Sequence, residues 1–144
     1  MRDAVIVSAA RTAVGKAPRG TLRESAPEVL AMAAVRAVLQ RAPGLDPAEI
    51  GDVVLGCAMP EGAQGLNIAR QVALGAGIPD SASAMTVNRF CASGLQALAL
   101  ATAAVQLGIH DVVVAGGMES MSFVPMIGHH FTPDPLLAEP SRVL

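Results

Sequence analysis

The stretch that decides the fold is AMTVNRFCASGLQALALATAAVQLGIHDVVVAGG, Ala84 to Gly117. It contains a short apolar run at 84–88, an alanine- and leucine-rich segment from near Cys91 to Gly108, and a second apolar run at 111–115. Short β-branched runs indicate strands, and the longer run that stops at a glycine indicates a helix. The stretch therefore predicts a strand, a helix and a second strand, which is the unit that joins parallel strands.

The same alternation continues toward the N-terminus. Two more apolar runs predict strands, and both are hydrophobic nearly throughout, as expected for strands covered on both faces. A capping-box spacing from Ser25 to Glu28 predicts the start of a helix that stops at Pro43-Gly44. The predicted elements in this part are strands at 4–8 and 52–56 and helices at about 25–42 and 66–74. The pattern predicts a layered α/β fold with a mostly parallel sheet and covering helices.

The regular pattern ends after Gly117. Residues 118–144 carry four prolines and show no helical or strand period. An irregular run of this length is unusual at the end of a compact domain. We therefore expect an α/β domain at 1–118 and the start of a loop domain at 119–144.

Composition excludes several classes of protein. With 144 residues, 52% of them hydrophobic, and two cysteines, the chain is neither a disordered segment nor a disulfide scaffold. The net charge of −2 gives no reason to expect a nucleic-acid partner. The longest weakly polar run, 94–108, is shorter than a membrane span, and we expect none. No export signal is recognisable, which predicts a cytoplasmic protein with reduced cysteines.

Cys91 is the strongest candidate for chemistry. It lies where a predicted strand ends and a predicted helix begins, so its thiol meets the positive end of the helix dipole and unpaired backbone N–H groups. Both favour the thiolate. The same N–H groups, that of Cys91 included, can hold an oxyanion formed during attack on a carbonyl. The alternative is that Cys91 packs as a small buried hydrophobe, as free cysteines often do.

Four segments resemble the N-terminal half of thiolases and together span nearly the whole chain. VNRFCASGLQALAL at Val87–Leu100 is similar to the nucleophile segment of that family, with Cys91 in the place of the acylated cysteine. The other three are SAARTAVGKAPRG at 8–20, GCAMPEGAQGLNIARQ at 56–71 and DVVVAGGMESMSFVPM at 111–126. PEGAQGLNIAR together with NRFC is closer to the degradative 3-ketoacyl-CoA thiolases (acetyl-CoA acyltransferases) than to the biosynthetic acetoacetyl-CoA enzymes. Ala13 departs from the family pattern, in which many relatives carry proline.

The resemblance implies an acyltransferase mechanism. Cys91 would attack the 3-keto carbon of a 3-ketoacyl-CoA, acetyl-CoA would leave, and the acyl-cysteine would pass its chain to a second CoA. In thiolases the base and acid come from a GHP and a CxGGG motif of the C-terminal half, and neither motif occurs in this sequence. The chain is therefore expected to be the N-terminal portion of a thiolase and to be inactive alone.

The resemblance also implies a set of partners. Coenzyme A thioesters would be the substrates, with no cofactor or metal, and the residues that bind CoA are not assigned. Homodimers or homotetramers are usual in the family, and the segment AMTVN at 84–88 is the one that pairs across the dimer. The implied fold is a layered α/β/α domain that is incomplete here, because in the family the N-terminal sheet takes a further strand from beyond the loop excursion that begins after Gly117.

Other readings stay open at this stage. A decarboxylating condensing enzyme of the same superfamily also has a cysteine at a helix start, and a non-catalytic acyl-CoA binder or interaction module would use Cys91 only for packing. A two-cysteine redox protein is disfavoured, because Cys57 and Cys91 lack the CxxC spacing.

Weaker signals receive structural interpretations. Cys57 follows a predicted buried strand and is expected to be structural. His129 and His130 are assigned to a solvated loop, because no carboxylate or cysteine lies at ligand spacing. His110 fits a helix C-terminus. Glu119 is expected either to line the mouth of the site or to belong to a plain turn.

Overall fold

The computed structural model describes residues 2–130 together with 132 and 135. Within them, three strands form one parallel sheet: β1 (Ile50–Gly56), β2 (Ser83–Val87) and β3 (Val112–Gly117). β1 is central, and the order across the sheet is β2-β1-β3. The parallel sheet predicted from the apolar runs is confirmed for these three strands.

Three helices cover the sheet in the described part of the chain: α1 (Pro27–Gln40), α2 (Ile68–Ala76) and α3 (Ser93–Gln106). α2 connects β1 to β2 on one side of the sheet, and α3 returns from β2 across β1 to β3. Crossovers of the same hand that run in opposite directions place their helices on opposite faces. The layers are therefore α1 and α2, the sheet, and α3. Within the described residues, no helix has the length and hydropathy needed to cross a membrane.

Side chains of β1 alternate between the two covered faces. Val53, Leu55 and Cys57 belong to the core that α1 and α2 close, whereas Val54 is buried outside that cluster. A fully buried Val or Leu contributes about 1.5–3 kcal/mol relative to an exposed one, so each face is stabilised by its own helices. The continuous apolar sequence of this strand is explained by burial on both faces, as predicted.

Close contact between α3 and the sheet depends on two glycines, at the ends of β1 and β3. A Cβ on Gly56 would overlap the backbone of Ser93 and lie 2.5 Å from the nitrogen of Gly94. A Cβ on Gly117 would lie 3.1 Å from the carbonyl oxygen of Gly56 and 3.4 Å from Cα of Gly94. Backbone therefore meets backbone where α3 begins, and no larger residue fits at Gly56 without moving the helix.

Two helix starts differ from the prediction. α1 begins at Pro27 with Ala26 as its N-cap, and no side chain caps it, so the capping box predicted at Ser25 and Glu28 is wrong. Proline at the first helical position lacks an N–H and suits a helix start by itself. α2 lies two residues further along than predicted and ends at Gly77, whose φ of 95° is the left-handed conformation that terminates helices.

The strand predicted at 4–8 does not form in the described part of the chain. Val5, Ile6 and Val7 are 76%, 80% and 74% exposed and make no ladder with the sheet. The segment is anchored instead at its ends, where Ser8 Oγ donates to the Val38 carbonyl at 2.9 Å and Arg2 pairs with Asp111. A groove of about 350 Å³ separates it from β3 and α3. Its apolar pattern is therefore that of a strand, but none of the described strands pairs with it.

The division predicted after residue 118 stays a prediction. Residues 119–130 follow β3 without a helix or strand, and most of the remaining predicted loop domain lies outside the described residues.

We expect Gly56→Ala to lower the free energy of unfolding by about 2–3 kcal/mol, because the new methyl overlaps the backbone of α3. Urea unfolding followed by circular dichroism measures this change. Gly116→Ala is the matched control, since its Cβ would meet only Leu55 Cδ2 at 3.6 Å, and it should cost about 1 kcal/mol or less. Equal costs for the two variants would contradict the close approach.

Candidate active site

Candidate functional residues gather at the carboxyl ends of the three strands. Cys57 directly follows β1, Cys91 lies four residues after the end of β2, and Glu119 lies two residues after β3. In open α/β sheets, ligands bind in the crevice outside the carboxyl ends of the strands. The fold therefore brings both cysteines and the carboxylate predicted from sequence to one edge.

Cys91 is carried on a tight elbow between β2 and α3. Phe90, just before it, has a φ of +50°, in the left-handed region that non-glycine residues rarely adopt. Its N–H donates to Asn88 Oδ1 at 2.7 Å. The Ser93 hydroxyl accepts from the Arg89 N–H at 2.9 Å and donates to the Phe90 carbonyl at 2.6 Å. Strain of this kind costs about 1–3 kcal/mol and persists where neighbouring contacts hold it, as these two side chains do.

The elbow leaves Cys91 open to solvent. Its side chain is exposed, so the alternative that this cysteine packs as a buried hydrophobe does not hold. α3 begins at Ser93 with Ala92 as N-cap, which places the thiol one residue before the cap. Cys91 is thus positioned as a free thiol beside the N-terminal end of a helix, as the sequence predicted.

Cys57 has the opposite environment. It is 1% exposed, and its backbone N–H donates to the Val87 carbonyl at 3.0 Å. Burial, reinforced by the nearby negative charge of Glu119, raises the pKa of the Cys57 thiol to about 11. The thiol donates toward Glu119 Oε1 at 3.9 Å. Its burial and raised pKa agree with the structural role predicted for Cys57.

Glu119 binds the loop that follows β1. Its carboxylate accepts the backbone N–H of Ala58 at 2.6 Å, that of Met59 at 3.4 Å, and the side-chain amide of Gln64 at 2.6 Å. Gln64 is fully buried and also accepts the Ser120 N–H at 2.5 Å. Glu119 does not lie in a turn, and its oxygens hold the loop after β1; that it lines the mouth of the site stays a prediction. Sequence reasoning did not identify Gln64, and only its place between two strand ends distinguishes it.

The histidines lie apart from this arrangement. His129 and His130 are exposed in the loop after β3, where the His129 N–H donates to Glu61 at 3.3 Å. His110 lies four residues beyond the end of α3, against Gly51. Among the described residues, no group of three or more His, Cys, Asp or Glu side chains could hold a metal ion.

Comparison with known proteins agrees with this architecture. Residues 4–134 match the family described as thiolase, N-terminal domain. A 3-ketoacyl-CoA thiolase of Bacillus subtilis is 50% identical over 139 residues, which cover 96% of this chain and 35% of that protein. A 3-ketoacyl-CoA thiolase of Marinobacter nauticus is 43% identical over 125 residues, covering 87% of the chain and 32% of that protein. The crystal structure of the Bacillus anthracis acetyl-CoA acetyltransferase superposes with a TM-score of 0.79 at 38% identity, covering 87% of this chain and 31% of that one.

The protein is of the α/β class, with a parallel sheet and an exposed cysteine on the turn between a strand and a helix. The chain belongs to the thiolase family and corresponds to its N-terminal domain. It spans about a third of the length of the curated relatives it matches.

We expect iodoacetamide at pH 7 to alkylate Cys91 at least about tenfold faster than Cys57. With a pKa of about 11, only about one Cys57 thiol in ten thousand is ionised at that pH, and burial blocks access to it. Peptide mass spectrometry after timed labelling gives both rates. The same experiment in denaturant should bring the rates together, and equal rates in the folded protein would contradict the prediction.

We also expect the folded state to lose stability as pH rises from about 9 to about 11. The folded protein holds the Cys57 proton up to about 11, whereas the unfolded thiol releases it near its ordinary value of 9.0, so unfolding is favoured in between. Thermal unfolding across this range measures the loss. Cys57→Ala should show a shallower fall, and because the sequence has no tyrosine, few other groups titrate there.

Proposed function

We propose that this chain supplies the nucleophile of an acyltransferase that cleaves 3-ketoacyl-CoA with coenzyme A. The observation that carries the proposal is the exposed Cys91 on its elbow at the carboxyl ends of the strands. An exposed thiol held beside a helix N-terminus suits nucleophilic attack, and it does not suit a module in which the cysteine only packs. The names of the relatives, 3-ketoacyl-CoA thiolase and acetyl-CoA acetyltransferase, support the substrate class.

The reaction has two half-reactions. The Cys91 thiolate attacks the 3-keto carbon, the bond between carbons 2 and 3 breaks, and the departing enolate takes a proton to become acetyl-CoA. The thiolate of a second CoA then attacks the acyl-cysteine, which releases the shortened acyl-CoA and restores Cys91. The backbone N–H of Cys91 is our candidate oxyanion donor. Neither the GHP nor the CxGGG motif occurs in this sequence, so the base and acid are expected from a C-terminal part.

Assembly belongs to the same proposal. β2 pairs with β1 along one edge only, and within the described residues its other edge has no strand partner. Met85 on this strand is 40% exposed. We propose that a second copy pairs along β2 in a homodimer or homotetramer. Such pairing would complete hydrogen bonds that an open edge leaves to solvent.

The remaining elements of the proposal concern context. We propose a loop domain that begins at residue 119, a degradative role in fatty acid β-oxidation, and action in the cytoplasm without a cofactor. The 3-ketoacyl-CoA thiolase name shared by the relatives supports the direction of the reaction.

The test supplies the missing part. The chain is mixed with the C-terminal two-thirds of a relative such as the Bacillus subtilis protein, and exchange between acetyl-CoA and 3-ketoacyl-CoA is measured. We expect exchange only in the mixture, together with an acyl mass increase on the Cys91 peptide. Cys91→Ala should abolish both signals, whereas Cys57→Ala should retain the acyl adduct.

Three results would overturn the proposal. Full turnover by residues 1–144 alone would show that the base and acid are not missing. An assembled mixture that binds 3-ketoacyl-CoA without acylating Cys91 would instead identify a non-catalytic acyl-CoA binder. Malonyl-type donors used in place of 3-ketoacyl-CoA would identify a decarboxylating condensing enzyme.

A further inference from the structure

One amide side chain connects the Cys91 elbow to the loop after β1. Asn88 Oδ1 accepts the Phe90 N–H at 2.7 Å, and Asn88 Nδ2 donates to the Ala58 carbonyl at 3.0 Å. The first bond holds the residue with φ of +50° that directly precedes Cys91. The second ties Asn88 to the loop after β1. Movement of the Ala58 carbonyl would therefore be transmitted through Asn88 to the Phe90 N–H, directly before the nucleophile.

The backbone of Ala58 is itself held by Glu119. The Ala58 N–H donates to Glu119 Oε2 at 2.6 Å. The Ala58 carbonyl that accepts from Asn88 belongs to the next peptide group, whose N–H, on Met59, donates to Glu119 Oε1 at 3.4 Å. Glu119 is open to solvent on one side, but buried Gln64 fixes it from the other at 2.6 Å. The Gln64 amide also donates to the Met59 carbonyl at 2.9 Å, so hydrogen bonds hold the loop after β1 at both Ala58 and Met59. Hydrogen bonds to a carboxylate are about twice as strong as neutral ones, which makes Glu119 the anchor of this set.

We infer that Asn88 and Glu119 are positioning residues for Cys91, joined through the backbone of Ala58 and Met59 into one relay of hydrogen bonds. Neither side chain is assigned a contact with substrate. Glu119 fixes the N–H groups of Ala58 and Met59, Asn88 bonds the Ala58 carbonyl between them, and the position of the elbow that carries Cys91 depends on these bonds. The inference rests on the proposed function, because it takes Cys91 to be the nucleophile.

Charge and geometry predict opposite effects for one variant. Glu119→Gln removes a negative charge from the strand edge where Cys91 lies, and charge alone would favour the thiolate and speed alkylation. The same change leaves the Ala58 and Gln64 N–H groups sharing a single acceptor oxygen, which loosens the loop and slows the reaction. The sign of the change therefore separates positioning from electrostatics.

The experiment measures iodoacetamide alkylation of Cys91 in the purified chain from about pH 6 to about pH 10, by peptide mass spectrometry. We expect Asn88→Ala and Glu119→Gln each to slow the reaction at pH 7 by about 3- to 10-fold and to move its half-maximal pH upward. The double variant should be no slower than the slower single variant within about twofold, since both substitutions break the same relay.

Two matched controls account for lost stability and lost charge. Asn67→Ala removes two side-chain hydrogen bonds on β2, to the Ala84 carbonyl and the Thr86 hydroxyl, that do not reach the elbow. Glu61→Gln removes a carboxylate from the same loop, one that is bonded to His129 and not to Ala58. Thermal unfolding of every variant is recorded, and both controls should leave the alkylation profile unchanged or slightly faster.

Three results would overturn the inference. An unchanged pH profile in Asn88→Ala despite a lower melting temperature would leave Asn88 with a role in stability only. Faster alkylation in Glu119→Gln would show that charge outweighs geometry, and multiplied effects in the double variant would show two independent sites. Alkylation alone decides these points. A parent protein whose Cys91 is never acylated in the assembled mixture would count against the proposed function and would leave the alkylation result intact.

Discussion

The N-terminal end of α3 rests directly on the ends of β1 and β3, and this close approach places every other part of the site. It is possible because Gly56 and Gly117 carry no Cβ: a methyl group on Gly56 would overlap the backbone of Ser93, and one on Gly117 would lie 3.4 Å from Cα of Gly94. With no Cβ in the way, the backbone of α3 starts at the same level as the carboxyl ends of the strands. The elbow before α3 must then turn sharply, and Phe90 adopts its left-handed conformation as a result.

A network of hydrogen bonds from side chains to the backbone fixes the loops at this edge of the sheet relative to one another. The three parallel strands end at the same edge of the sheet, and the loops that follow them would be free to move without further contacts. Asn88 ties the second loop to the first, and Glu119 with buried Gln64 ties the first to the third. The polar side chains at this edge therefore bond backbone N–H and C=O groups, and the thiol of Cys91 is left exposed as the candidate nucleophile.

The two cysteines show how the same residue type takes different roles within one edge. Cys57 continues the buried alternation of β1, so desolvation and the Glu119 charge keep it protonated, with its pKa raised to about 11. Cys91 lies beyond the end of β2 on the elbow and stays exposed. The difference arises from where each cysteine lies relative to its strand. The Cys57 thiol points into the core under α1 and α2, whereas Cys91 lies beyond the end of the sheet.

The sequence by itself determined the three parallel strands, the three helices to within about two residues, the role of Cys57 and the identity of Cys91 as the candidate nucleophile, because apolar period, glycine stops and family motifs are local signals. The start of α1 was misjudged, since Pro27 served where a side-chain cap at Ser25 was expected. The run at 4–8 has the composition of a strand, but a strand also needs a hydrogen-bonded partner, and none of the described strands pairs with it. Only the tertiary structure decided that Glu119, Gln64 and Asn88 hold one another's loops. Such contacts join residues up to 62 positions apart, as Cys57 and Glu119 are, and no spacing along the chain encodes that meeting.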